Sequence, residues 1–423
     1  MPLTYFQPSC PPIRGAGSRG AVMGDSLTAL ALNAGDWTDT GYAAFLRRFC
    51  GSRISLPTSM VFATLGYTTA QIASNWLPQC LAAKPDWCVV EGGINDLLQT
   101  IPPATTIANL EAIYQSLLVA GIFVIAVPIR STTTPSGGIP PLSATQKAQQ
   151  GYINNAIKAF CAANSGITYF DVNPSFIDWA TGDALAANVS VDQSNGHILD
   201  GIHDSPQGAY LFGAGLATVI NGLVPARDDR FTLLADTYDP TNNPTGNLLS
   251  NGLMAGIGGT VLSGGTGTVP TGWFGDPQGL TVAFGNPAYS GYTNLTKTSM
   301  AISGTAASQF PALFSPASGW SVGDTVIAEV EADWNITSNI ASIGLTIDME
   351  DNQGHLISQT RDGYISGLGN WPTGIGSAVF RTNPFVIPAN TAFMNLIGRV
   401  YTPGSGTVAA VVNWARGSMR KIS

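Results

Sequence analysis

Charge is what this chain has least of. Only 10% of its 423 residues are Asp, Glu, Lys or Arg, against about 25% in an average soluble protein. The 18 Lys and Arg are outnumbered by 26 Asp and Glu and form no basic run, which argues against nucleic-acid binding, because that needs clustered cations to displace counterions. Histidine occurs three times, as His197, His203 and His355. The five cysteines, Cys10, Cys50, Cys80, Cys88 and Cys161, show neither a Cys-x-x-Cys pair nor zinc-site spacing, so free and mostly buried thiols are expected, with no metal. No apolar run approaches the ~18 residues of a membrane helix, so no membrane insertion is expected. The opening residues, broken by Pro2 and Pro8, lack the apolar core of a signal peptide. The expected location is therefore the cytoplasm, with leaderless export or a virion tail as alternatives.

What the chain does have is glycine (49) and proline (27), together with 44% hydrophobic residues. The hydrophobic content excludes disorder, and the lack of a three-residue glycine period excludes collagen. Up to about residue 225, short apolar runs alternate with helix-length stretches. Ala21–Met23, Met60–Ala63, Trp87–Val90, Ile122–Val127 and Ile167–Phe170 read as parallel strands buried on both faces. Thr105–Val119 and Ser143–Ala163 carry apolar residues at helical spacing, and Ser205-Pro206 reads as the start of a helix reaching about Asn221. This alternation predicts a three-layer α/β/α sandwich on a parallel sheet over residues 1–225.

Residues 226–246 are rich in turn formers and read as a linker. From 247 to 423 helical periodicity gives way to period two, in Thr325–Ala332, Ile343–Met349 and Phe393–Tyr401, and then to the β-branched run Val408–Trp414. An all-β antiparallel sandwich is expected there. Ser131–Ser143 and Ala255–Thr268 read as exposed loops.

The chemistry concentrates in the first half. Met23-Gly24-Asp25-Ser26-Leu27 places a serine just past an apolar strand. Serine is a weak nucleophile and needs a base within hydrogen-bond reach. His203 follows Asp200 by three residues, with Gly201 easing the turn between them, so the acid can hold the imidazole. Asp192 and Asp204 compete with Asp200 as its partner, and spacing favours Asp200. Asp25 and Asp96 read as structural acids, His197 as a surface-loop histidine, and His355 as part of a hairpin turn. The sequons at Asn188, Asn294 and Asn335 carry no assigned role.

In these residues the chain resembles the SGNH, or GDSL, hydrolases. Gly24-Asp25-Ser26-Leu27, Gly66 after the next strand, Gly93-Ile94-Asn95-Asp96 and Asp200-x-x-His203 stand in that family's order, over roughly residues 18–222. Asp204 departs from the pattern, standing where proline is frequent. The resemblance implies a Ser26–His203–Asp200 triad with no cofactor. It also implies an oxyanion hole made from the Ser26 and Gly66 backbone N–H groups and the Asn95 side-chain amide. No Gly-x-Ser-x-Gly occurs, which disfavours the nucleophile-elbow hydrolases.

Residues 247–423 resemble jelly-roll carbohydrate-binding modules in Asn247–Gly252, Val269–Trp273 and Val386-Ile387-Pro388. Among the five tryptophans of this half, Trp371, in Gly369-Asn370-Trp371-Pro372, is expected to be exposed and to stack on sugar. Each half carries a net charge near −4, from 11 basic and 15 acidic residues up to 230 and 7 and 11 after it. The two resemblances together imply a serine esterase that removes acetyl or other short acyl groups from a carbohydrate polymer. A leaderless esterase joined to a jelly roll is also similar to virus tail proteins that strip cell-surface polysaccharide. The alternatives are a lipase or carboxylesterase acting on lipid esters, and a glycan-binding protein whose hydrolase domain is idle.

Overall fold

Residues 18–29, 41–132, 142–172, 176–177, 183, 201–204, 206–225, 236–290, 295–305, 307–363 and 371–422 are described by a computed structural model. Asp192, His197, Asp200, Asn188, Asn294 and Cys10 lie outside them. The chain divides into two compact units, with the division after Arg227.

In the first unit, the apolar runs form strands Ser18–Gly24 (β1), Ile54–Ser55 (β2), Val61–Ala63 (β3), Trp87–Val90 (β4), Phe123–Ala126 (β5) and Ile167–Tyr169 (β6). Five of them lie in the order β2-β1-β4-β5-β6, β3 pairs with β1, and every pairing is parallel. All residues of β4 and β5 are buried, as strands covered on both faces must be.

The helices are Ser26–Ala29 (α1), Tyr42–Phe49 (α2), Thr69–Gln71 (α3), Leu77–Ala83 (α4), Ile94–Leu98 (α5), Pro103–Val119 (α6), Ala144–Ala163 (α7) and Pro206–Leu223 (α8). A π-helical stretch, Ile72–Trp76, joins α3 to α4. The start of α7 is a capping box, in which the Ser143 hydroxyl accepts the Gln146 N–H and the Gln146 side chain accepts the Ser143 N–H. Helix α8 packs on α2 at close range. The Tyr42 and Phe212 rings are 4.4 Å apart, and a Cβ on Gly213 would stand 2.5 Å from that of Phe45. Sheet and flanking helices give the α/β sandwich that the alternation predicts. Cys50, Cys80, Cys88 and Cys161 are free and buried. Among the described residues, no helix is long and apolar enough to cross a membrane.

The second unit is built of two sheets. The strands of one run in the order Gly374–Arg381, Thr325–Ser338, Thr407–Lys421, Thr298–Thr305, Thr281–Gly285 and Gly265–Gly267, with Phe385–Val386 beside Thr325–Ser338. The other runs Leu356–Asp362, Ser342–Glu350, Phe393–Tyr401, Ala312–Pro316, Phe274–Asp276 and Thr260–Val261. Pairing is antiparallel except at two short strands, Thr260–Val261 and Gly265–Gly267. Both of these fall within Ala255–Thr268, which the sequence reads only as loop. Gly398 of the second sheet closes on Trp414 of the first, so that a Cβ there would lie 2.7 Å from the indole. The two inner faces therefore meet as a sandwich.

Two expectations are corrected in this unit. Residues 236–246, read as linker, are tied into it: the Asn247 N–H donates to the Asp236 carbonyl, the Tyr238 N–H donates to that of Asn247, and Arg420 pairs with Asp236. Trp371 is not an exposed platform, being only 1% exposed. Its ring stands edge-on to Trp334 at 5.6 Å and lies 6.3 Å from Phe380. An indole so fully enclosed has no free face for a sugar. Trp273, Trp334 and Trp414 are buried as well. His355 sits in an exposed turn beside Asp351, as its sequence context suggests.

Candidate active site

The site begins where parallel strands end together. Gly24 pairs with Ala63, and Met23 pairs with Val90. Ser26, Gly66 and Asn95 each follow one of these strands within a few residues. They therefore gather at the carboxyl edge of the sheet, where open α/β folds place ligands.

Ser26 is the first residue of α1, and Asp25 caps that helix. The Asp25 carbonyl accepts the Ala29 N–H at 2.8 Å, and its Oδ1 accepts the Leu27 N–H at 3.0 Å. A cap that takes the Leu27 N–H leaves that of Ser26 among the unclaimed donors of a first helical turn. Asp25 is fully buried, and among the described residues its Oδ2 accepts no hydrogen bond. Burial pushes its carboxyl up to about 6, against the Leu27 N–H and the positive charge of Arg130, which pull it down.

Gly66 follows β3 with φ at +76°, in the left-handed region, and nothing lies within 4 Å of where a Cβ would stand. Glycine is needed there for its backbone angle, with space to spare. The next residue, Tyr67, accepts a hydrogen bond from Asn95 Nδ2 at 3.0 Å. One amide hydrogen of Asn95 is thus fixed on the Gly66 loop, which sets the direction of the other. Asp96 is buried and structural, as expected. It accepts the Thr69 N–H at 2.9 Å and the hydroxyls of Thr69 and Thr106.

His203 is half-buried and lies in a turn that Gly201 enters with φ at +69°. The following residue, Asp204, pairs with Arg130, and Arg130 Nε donates to Glu91 Oε1 at 2.6 Å. Glu91 Oε2 accepts the Thr28 hydroxyl at 3.3 Å, and Thr28 contacts the Tyr42 hydroxyl at 3.1 Å. Thr28 lies in the same short helix as Ser26, so one buried polar chain joins the His203 segment to the Ser26 segment. Burial pushes Glu91 up to about 7 and raises Asp204, although Arg130 opposes both. Nothing in the sequence marks this network. Arg130 lies 39 residues from Glu91 and 74 from Asp204, and no local motif marks it.

Residues 22–211 match the model of the GDSL-like lipase/acylhydrolase family. Among curated proteins none matches the chain in sequence. Similar solved structures include an acetylxylan esterase from Geobacillus stearothermophilus, at 16% identity and TM-score 0.39, covering 51% of this chain and 99% of that one. The lipase/acylhydrolase from Enterococcus faecalis is similar at 20% identity and TM-score 0.36, covering 50% and 99%. A GDSL-like lipase from Bacteroides thetaiotaomicron is similar at 17% identity and TM-score 0.37, covering 48% and 88%.

Proposed function

We propose, from a chain whose residues 22–211 match the GDSL-like lipase/acylhydrolase family model, that it is a serine esterase releasing acetyl or another short acyl group from a carbohydrate polymer. One observation carries the chemistry. Ser26 opens a helix at the carboxyl edge of the sheet, and the Asn95 amide is held against the Gly66–Tyr67 loop at that same edge. In this reading the Ser26 hydroxyl attacks the ester carbonyl while His203 takes its proton. The oxyanion accepts from the Ser26 and Gly66 N–H groups and from Asn95 Nδ2. His203 then returns the proton to the leaving sugar oxygen. Water, deprotonated by the same imidazole, hydrolyses the acyl-enzyme and releases the acid. Asp200 orients His203 and stabilises its charged form.

The polymer assignment is supported by the second, all-β unit and by the low charge of both halves. With Trp371 in the core, it draws nothing from that residue. Leu65 favours a second reading, a lipase or carboxylesterase. It stands beside Gly66 with 65% of its surface exposed, where an acyl chain could lie.

A fluorophosphonate probe should label the native chain and leave Ser26→Ala unlabelled. Against 4-nitrophenyl esters of increasing length, kcat/KM should fall steeply beyond acetyl, and acetate should be released from an acetylated polysaccharide. Rates that rise with chain length would favour the lipase reading. A native chain that the probe does not label would overturn both.

A further inference from the structure

We infer that Arg130 is a positioning residue for His203, acting through Asp204 and Phe212, an inference that rests on the esterase reading above. The guanidinium is 4% exposed and lies just beyond β5, where the Val127 N–H donates to the Val90 carbonyl at 3.0 Å. It is held from below by Glu91, whose own N–H donates to the Met23 carbonyl of the nucleophile strand at 3.0 Å. Its opposite arm, Nη1, donates to Asp204. Its flat face covers the Phe212 ring at 4.7 Å, with Phe176 at 5.5 Å.

Asp204 and Phe212 both follow His203, the first directly and the second on α8. One side chain therefore grips the His203 segment by its carboxylate and by its helix, and is itself bonded to Glu91, whose N–H bonds to the strand that carries Ser26. A planar fork suits this task, since it can bond two carboxylates in different directions while an aromatic ring packs on its face. The same contact gives a use to the departure at position 204. Where proline would stiffen the turn, this chain has an acid that anchors it. Asp204 then acts by holding the turn through Arg130, and orienting the imidazole falls to Asp200.

The test uses the full chain with 4-nitrophenyl acetate and the fluorophosphonate probe. Arg130→Met leaves two buried carboxylates without a counter-charge and is at risk of not folding, so Arg130→Lys and Asp204→Asn carry the experiment. Both should fold by circular dichroism, and both should lower kcat and the labelling rate by about 10- to 100-fold, the cost of misplacing a catalytic group by about an ångström. KM should stay within about twofold. The double variant should be no slower than the worse single one, because both break the same contact. Asp200→Asn should lose far more, roughly 10⁴-fold.

Wild-type kcat in both single variants, with only the unfolding temperature lowered, would overturn the inference, as would multiplicative losses in the double variant. A loss in Asp204→Asn as large as that in Asp200→Asn would overturn it too, by making Asp204 the acid of the triad. A native chain that the probe leaves unlabelled overturns the esterase reading itself. A labelled native chain with unchanged variants overturns this inference alone.

Discussion

Asn95 donates one amide hydrogen to the Tyr67 carbonyl at 3.0 Å, and so couples the loop after β4 to the loop after β3. The side chain is a neutral donor whose second hydrogen is aimed by the first. Asn95→Ala should lower kcat by about 10²–10³ with little change in KM, the usual cost of one oxyanion donor. Steady-state kinetics on 4-nitrophenyl acetate measure this, and a loss confined to KM would remove Asn95 from the oxyanion hole.

Gly66→Ala tests the same loop from its backbone. The added methyl meets nothing, so any penalty comes from φ at +76°. Holding a non-glycine residue there costs about 1–2 kcal/mol. The variant should either lose that much stability in urea or relax its backbone and lose turnover. A chain unchanged in both would show that the left-handed geometry is unnecessary.

Asp25 makes stability depend on pH. Its folded value, about 6, lies above the ordinary 3.8 because it is buried. A carboxyl raised by folding binds its proton more tightly in the native state. Its contribution is therefore most favourable below pH 4 and is lost as pH rises towards and through 6. A shift of this size corresponds to about 3 kcal/mol. Asp25→Asn keeps the Leu27 cap and cannot ionise. The stability of the native chain relative to this variant, from urea unfolding between pH 4 and pH 7, should decline by about 2 kcal/mol, most of that amount. A flat difference would mean that Asp25 titrates normally.

Local signals carried the first unit. The apolar runs at 87–90 and 122–127 became central strands, and the Ser143–Gln146 capping box opens its helix where the sequence places it. The placement of Ser26, Gly66 and Asn95 was legible because each lies just past a strand in a short, glycine-marked turn. Trp371 was misread because Gly-Asn-Trp-Pro describes only its backbone neighbours. Its burial depends on Trp334 and Phe380, which arrive from other strands. Asp204 reads in the sequence as a rival partner for His203 and as a departure from a pattern, and neither reading points to Arg130. Its partner Arg130 is distant in sequence, and pairing across such distances is decided by tertiary packing alone.

Trp371 accordingly belongs to stability. Trp371→Ala should destabilise the second unit by about 3–5 kcal/mol, as large-to-small changes at buried aromatic residues do, and Trp371→Phe should cost less. Below the unfolding transition, turnover of 4-nitrophenyl acetate by Trp371→Ala should match that of the native chain. Weakened polysaccharide binding by a fully folded Trp371→Ala would contradict its place in the core.

The docking of α8 on α2 has a consequence in time. Asn221 Nδ2 donates to the Phe49 carbonyl across 172 positions of chain, and His203 lies three residues before this helix begins. Contacts so far apart in sequence form late, because a long loop must close before they are rewarded. A nascent chain carries Ser26, Gly66 and Asn95 long before it carries His203. Synthesis must pass α8 before this packing can hold the His203 segment in place, so on the esterase reading turnover arises only after α8 has been made.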